Sequence, residues 1–412
     1  MKKVLGILAG ILLLIGLGLV AAYFYRKNQA AKQLVPSNSQ ALLSISLDDI
    51  LLEHWNDLFK NWGRDSSADS SSWPSLADYW NAGLAHPAEI YFFTLAEHEG
   101  SLYSIQRITD STKWRVFWAE HAPGSGYLQA LADGEYVLFR LGMQKEERPD
   151  DDLQAILTNR QNWTAVANLK LPQPPSGADL CYQKVDGSLS LFATLHEQNI
   201  KLSGNWRLQQ ALAKDQLPGA REIPSAGQTF LSFRNAIPLT ETPWIGAALY
   251  KLAGIDSLAL QEAGVGYVDL FIAQQMTTQQ DTVLVYDYDE NFNSIEKQEV
   301  RKISVPLIES AWKGDERLRA LLPDKLFYAF HKQYSHDGLL FLSTVQNDSL
   351  AATYTSESAP LHIQLNFAQV PAVWAKGAME TLRMKQVNLD LQGKLEEDGR
   401  ELTLQGKLSY QD

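Results

Sequence analysis

A stretch near the N-terminus returns once in the middle of the chain, and that recurrence narrows the folds open to it. Val35–Leu52 reads VPSNSQALLSISLDDILL, and Ile223–Pro238 reads IPSAGQTFLSFRNAIP. Pro36/Pro224, Ser37/Ser225, Gln40/Gln228, Leu43/Leu231 and Ser44/Ser232 match at one offset of 188 residues. The strand-like runs at Trp163 and Leu361 stand 198 residues apart, near the same spacing. Two correspondences at nearly one period predict a duplicated unit. In the first copy Leu43, Ile45 and Leu47 alternate with serines, the period of a half-buried strand. Asp48 or Asp49 then caps a helix whose apolar face is Leu51, Leu52, Trp55, Leu58 and Phe59. The segment holds no reactive group beyond ordinary serines and capping aspartates, so it is architectural.

Ahead of it, Lys2 and Lys3 precede an uninterrupted apolar run, Val4–Tyr25, that closes on Tyr23-Phe24-Tyr25 and then Arg26-Lys27. About 20 apolar residues span a bilayer core as a helix, and an aromatic belt followed by basic residues suits its far end. The expectation is an uncleaved signal anchor in the inner membrane, with the rest exported to the periplasm or envelope. The alternative is a cleaved signal peptide, with Val20 and Ala22 before the cut, leaving a soluble periplasmic protein.

Beyond the tether, turn signals punctuate short alternating runs. Asp133-Gly134, Asp186-Gly187 and Asp398-Gly399 each mark a hairpin. Thr242-Pro243 opens a helix through Ile245, Leu249 and Leu252 that Gly254 stops. Val265–Ala273 and Thr282–Asp287 read as paired strands, and Glu309–Leu322 as helical in two pieces around Gly314. The predicted fold class is α+β: an N-terminal transmembrane helix, then two related halves of largely antiparallel sheet with packed helices. The corresponding domains are 1–34 for anchor and tether, 35–222 for the first half and 223–412 for the second.

Composition narrows the chemistry. With 412 residues, 45% apolar and 20% charged, the chain is globular in composition. A net charge of −12 gives it no reason to seek nucleic acid. The single cysteine, Cys181, allows no intrachain disulfide and no cysteine-rich zinc site. Asp287, Asp289, Asn291 and Asn293 alternate like a calcium loop, but Phe292 and Gln298 stand where an EF-hand needs Gly and Glu, so an acidic turn is expected. His331 and His336 are five apart, which puts them on different faces of a helix or a strand, and a turn accounts for them. Glu97-His98-Glu99 reads as a solvated turn. Gly124-Ser125-Gly126 lacks the later residues of a nucleotide loop, and no nucleophile elbow occurs. No catalytic, cofactor or metal residue is assigned.

Eleven tryptophans remain to be placed. Trp55, Trp62, Trp73 and Trp80 crowd around the polar loop Asp65–Ser72. Core packing is the default reading of such aromatics; the alternative is that Trp62 and Trp73, which flank that loop, form a candidate binding surface, since an indole offers a broad apolar face with one donor.

Four phrases, VPSNSQALLSISLDDIL, AGLAHPAEIYFFTL, VLVYDYDENFNSIEKQEV and GKLEEDGRELTLQGKLSYQD, resemble families of exported, membrane-anchored proteins of unknown function common in Bacteroidota. The resemblance implies an envelope-located, α+β, duplicated protein and carries over no site. The expected role is a non-enzymatic binding or assembly module, held at the membrane by its N-terminal helix, for a partner protein or a hydrophobic or lipid ligand. The alternatives are a hydrolase of envelope polymers using a carboxylate pair, and a purely structural envelope factor.

Overall fold

The structure is a computed structural model, and it describes residues 23–53, 78, 80–97, 100–121, 128–142, 150–212, 220–221, 228–288, 294–334, 338–346, 354–355 and 359–411. It corrects the expected fold class. The protein is mostly antiparallel sheet with short helices, and among the described residues no helix is long and apolar enough to cross a membrane. Most of the expected anchor, residues 1–22, lies outside the described residues. Residues 23–30 form helix α1, whose polar groups grip the body. The Tyr23 hydroxyl donates to Asp49 (2.7 Å), Arg26 donates twice to Asp48 (2.8 Å each), and Lys27 Nζ donates to Asp49 (2.9 Å).

The chain divides into two compact units, Met1–Glu197 and Gln198–Asp412. In the first, β1 (Leu34–Pro36) pairs with β7 (Trp163–Ala165). The main sheet contains β2 (Ala41–Ser46), β3 (Glu89–Thr94), β4 (Ser101–Arg107), β5 (Leu128–Asp133), β6 (Tyr136–Gly142), β8 (Leu180–Lys184) and β9 (Leu189–His196). Their spatial order is β5-β6-β4-β3-β2-β8-β9, with antiparallel pairing throughout. Helix α2 (Leu47–Glu53) follows β2, with Asp48 and Asp49 in its first turn, where carboxylates suit the helix dipole. Val137 and Leu138 are adjacent in β6 and so point to opposite faces. Leu138 joins Leu42, Phe93 and Tyr103 under Leu153 and Leu157 of α4 (Asp150–Thr158); Val137 joins Leu84 and Trp114 of α3 (Ser111–His121). Helices therefore cover both faces at this end.

The second unit has β10 (Asn199–Arg207), β11 (Ala220–Arg221), β12 (Thr229–Asn235), β13 (Gly264–Tyr288), β14 (Ser294–Gly314), β15 (His331–Tyr334), β16 (Leu339–Ser343), β17 (Tyr354–Thr355), β18 (Leu361–Asn366), β19 (Asn388–Leu395) and β20 (Glu401–Ser409). The order is β15-β16-β14-β13-β12-β18-β19-β20-β10, and β11 pairs with β17 outside this sheet. From β5 to β9 and from β15 to β19 the two orders correspond strand for strand, and the recurring segment opens β2 at Ala41 and β12 at Thr229. Helices α5 (Pro243–Ala253), α6 (Ser257–Ala263) and α7 (Glu316–Leu321) lie on one face, with Ile245, Leu260 and Leu318 packed against Val268, Trp312, Leu340 and Leu342. Leu339 and Phe341 point the other way, into a cluster with Tyr267 and Ala311. With both faces covered, LLFLS is apolar without alternation, and all five residues are buried.

Candidate functional site

The connection between β12 and β13 carries the most unusual surface. Helix α5, PWIGAALYKLA, starts with Pro243 in its first turn and ends at Gly254, whose φ of 68° is the left-handed cap that glycine adopts without strain. Asp256 then caps α6 by accepting from the Leu258 amide (2.9 Å). Gly246 lets the two helices cross closely, since a Cβ there would lie 3.2 Å from Ser257 Cβ.

Ile245, Gly246 and Leu249 turn inward. At 100° per residue the outward side of α5 then holds Trp244, Ala247, Ala248 and Lys251, with Tyr250 and Leu252 on its shoulders. Trp244 is 46% exposed, Leu252 55%, Tyr250 64%, and Leu258 at the start of α6 69%. A helix apolar on all sides is ordinarily covered on all sides. Here the inner side is covered and the outer side meets solvent. Trp244 is held edge-to-face on Phe233 (centroids 5.8 Å apart), so it is ordered as well as exposed. Lys251 is the one cation of α5 and stands amid this apolar surface.

Two polar arrangements offer less. On β18–β20, His362 Nε2 lies 3.3 Å from Asp390 Oδ1 beside an open cleft of about 620 Å³ that includes Gln392, Lys394, Glu396 and Lys407. That contact lacks hydrogen-bond geometry. The cleft's two carboxylates, Asp390 in β19 and Glu396 just past its end, are six residues apart along an extended chain, roughly 20 Å at 3.3–3.4 Å per residue. A carboxylate pair for glycoside hydrolysis needs about 5–9.5 Å, so this cleft does not supply one. The second arrangement joins α1 to β3. Burial alone would lower Lys27, but its hydrogen bonds to Asp49 and Tyr23 and their charges raise it above the ordinary lysine value. Burial next to Glu89 pushes the Tyr91 phenol far up, and it donates to Glu89. Both groups are held in their protonated forms, which suits a clasp and not proton transfer at neutral pH.

Trp62, Trp73, His98, Gly124–Gly126, Asp289–Asn293 and His336 lie outside the described residues. Trp80, of the same tryptophan-rich region, stacks on His86 with centroids 4.8 Å apart. Asp287 lies in β13 and His331 in β15. Cys181 is 4% exposed on β8, and burial pushes its thiol up, away from reactivity. Among the described residues no three His, Cys, Asp or Glu side chains group as a metal site. The α5–α6 surface escaped sequence reasoning because Ile245, Leu249 and Leu252 all read as core; Leu252 is not. Trp62 and Trp73 fall in the β2–β3 connection, the topological counterpart of the one that carries Trp244.

The chain matches no protein-family model and no curated protein. Among solved structures it is similar to one described as "Structure of crystal form I of TP0453", at 10% identity and a TM-score of 0.24, over 46% of this chain and 86% of that one. Similarity at that level carries no argument about fold or function.

Proposed function

We propose that this protein is a non-catalytic binding module that docks a partner protein on the outer side of α5–α6. The carrying observation is the crowding of large exposed apolar side chains. Of twelve such residues among the described ones, four fall between positions 244 and 258. A patch of this kind marks an interaction site, whereas apolar residues scattered singly need no explanation. Trp and Tyr are the side chains that most often dominate protein interfaces, because they bury large area with few rotamers. A net charge of −12 disfavours an anionic lipid surface, and Lys251 within the patch suits a partner that sets a carboxylate in an apolar groove.

The test places a photo-crosslinking residue at Tyr250, with Lys394 on the polar sheet face as the control site, in cells that make the protein natively. A discrete protein adduct from position 250 alone, lost in Leu252→Glu/Leu258→Glu and reduced in Lys251→Glu, is the expected result. Adducts of equal yield from both sites, or flotation of the purified protein with zwitterionic vesicles through the same residues, would show that the patch is not a protein dock.

A further inference from the structure

The β13–β14 hairpin outgrows the sheet that it belongs to. Strand β12 pairs with β13 only from Thr229↔Ala273 to Asn235↔Val268, and β16 pairs with β14 only from Glu309 to Lys313. The two long strands nevertheless stay paired from Met276↔Pro306 out to Tyr288↔Ser294. Contacts with the body follow the arm part of the way: the Gln279 side chain of β13 donates to the Ala329 and Thr344 carbonyls, and Lys325 pairs with Asp281. Beyond Asp281↔Arg301 no strand of the described residues flanks the ribbon. Isolated two-stranded ribbons are marginal in water, and a bare strand edge is a template for another strand. Leu284 and Val300 lie on one face of this stretch, and they are 57% and 63% exposed. A segment of this build calls for a further strand.

The sequence of the β14 edge says which one. In an antiparallel pairing of β14 with a second β14 centred on Val300, Val300 faces Val300 of the other copy. Glu299 then faces Arg301 twice, and Gln298 faces Lys302 twice. Within one chain Glu299 and Arg301 already pair at 2.8 Å on one face, so the two pairs would close into a four-charge square of alternating sign. Centring the register on Glu299 instead sets Glu299 against itself, which like-charge repulsion disfavours. We infer that a second copy of this chain adds to the arm through β14, about a twofold axis at Val300, to give a four-stranded inter-chain ribbon.

The full chain tests this with single cysteines, since the native Cys181 is buried. Directly opposed residues of an antiparallel pair have Cα atoms about 4.5–5.5 Å apart, within disulfide range. Val300→Cys is therefore expected to give a covalent dimer under mild oxidation. Lys302→Cys, whose two copies would stand four residues apart along the ribbon, is expected to give none. In sedimentation, Glu299→Arg or Arg301→Glu alone should weaken the dimer by about tenfold or more, as like charges come to face one another. The double swap Glu299→Arg/Arg301→Glu should restore it. A chain that sediments as a monomer at every concentration, equal cross-linking at 300 and 302, or failure of the double swap to rescue would each overturn the inference.

Discussion

Single backbone and side-chain positions carry disproportionate strain and charge here. Gly266 follows the first two residues of β13 at φ 93°, and a Cβ on it would stand 2.8 Å from Pro238 Cα and 3.0 Å from the Ile237 carbonyl oxygen. Asn235, fully buried, ties the same spot together by donating to the Ile237 and Gly266 carbonyls (2.7 and 3.1 Å). Gly266→Ala combines a disfavoured φ with a backbone clash, so it should cost about 3 kcal/mol, read from the denaturant midpoint. The phenol of Tyr91 illustrates a charge effect of definite sign. Burial first, then the Glu89 charge and hydrogen bond, raise its pKa above the unfolded value of 10.0. Lys27 is likewise raised above 10.5. Groups with raised folded values contribute fully below their unfolded pKa and lose that contribution as pH rises through the folded one. Stability should accordingly fall as pH climbs above 10. In Tyr91→Phe the denaturation midpoint should decline less steeply between pH 10 and 12. An unchanged slope would mean that Tyr91 ionises as freely in the folded protein as in the unfolded one.

Secondary-structure elements divide into those that local chemistry dictates and those that only packing decides. Asp133-Gly134, Asp186-Gly187 and Asp398-Gly399 were legible as hairpins because each glycine supplies the positive φ, 65°, 73° and 69°, that the turn requires. The start and stop of α5 were legible for the same kind of reason. Glu309–Gly314 was not. Its ESAWKG reads as the opening of a helix, yet it is the buried end of β14, held between Val268–Ile272 of β13 and Leu339–Ser343 of β16. Likewise Val265–Ala273 and Thr282–Asp287 are one strand, β13, and both pair with β14 and not with each other. Trp163–Leu171, which alternates like a strand, gives only a three-residue strand and then a 3₁₀ turn at Val166–Asn168. Non-local pairing overrides local pattern in each case. If β14 depends on its neighbours, its key anchor is Trp312, 8% exposed among Ile245, Leu318 and Leu340. Trp312→Ala should cost about 3–5 kcal/mol by the emptied volume alone. Thermal unfolding monitored by β-sheet circular dichroism would show it.

At the scale of the whole molecule the two units share a strand order, and they differ in the length of one hairpin. The recurring segment falls on equivalent strands, β2 and β12. Leu361, by contrast, opens β18, which answers β8 at Leu180 and not the strand at Trp163, so alternation alone had paired the wrong strands. What one unit has and the other lacks is the arm: β3 and β4 have 6 and 7 residues, and β13 and β14 have 25 and 21. Among the described residues the buried hydrophobic side chains of the second unit reach Ala273 in β13 and Val305 in β14, and none lies between those two in the ribbon. The outer ribbon therefore contributes nothing to the core that a truncation could remove. Gln280 and Lys302 face each other across it, so a two-residue Asn-Gly turn can replace residues 281–301 and close the hairpin there. The exposed Asp281–Lys325 pair goes with the loop, and surface pairs of this kind contribute little. The shortened chain should fold with a Tm within about 3 °C of the intact protein, the shift expected from less than about 1 kcal/mol in a chain of this size. It should also still present α5–α6 for docking and no longer self-associate through β14. A large loss of stability would show instead that the arm supports the sheet, which would remove the reason for treating it as an element built for another chain.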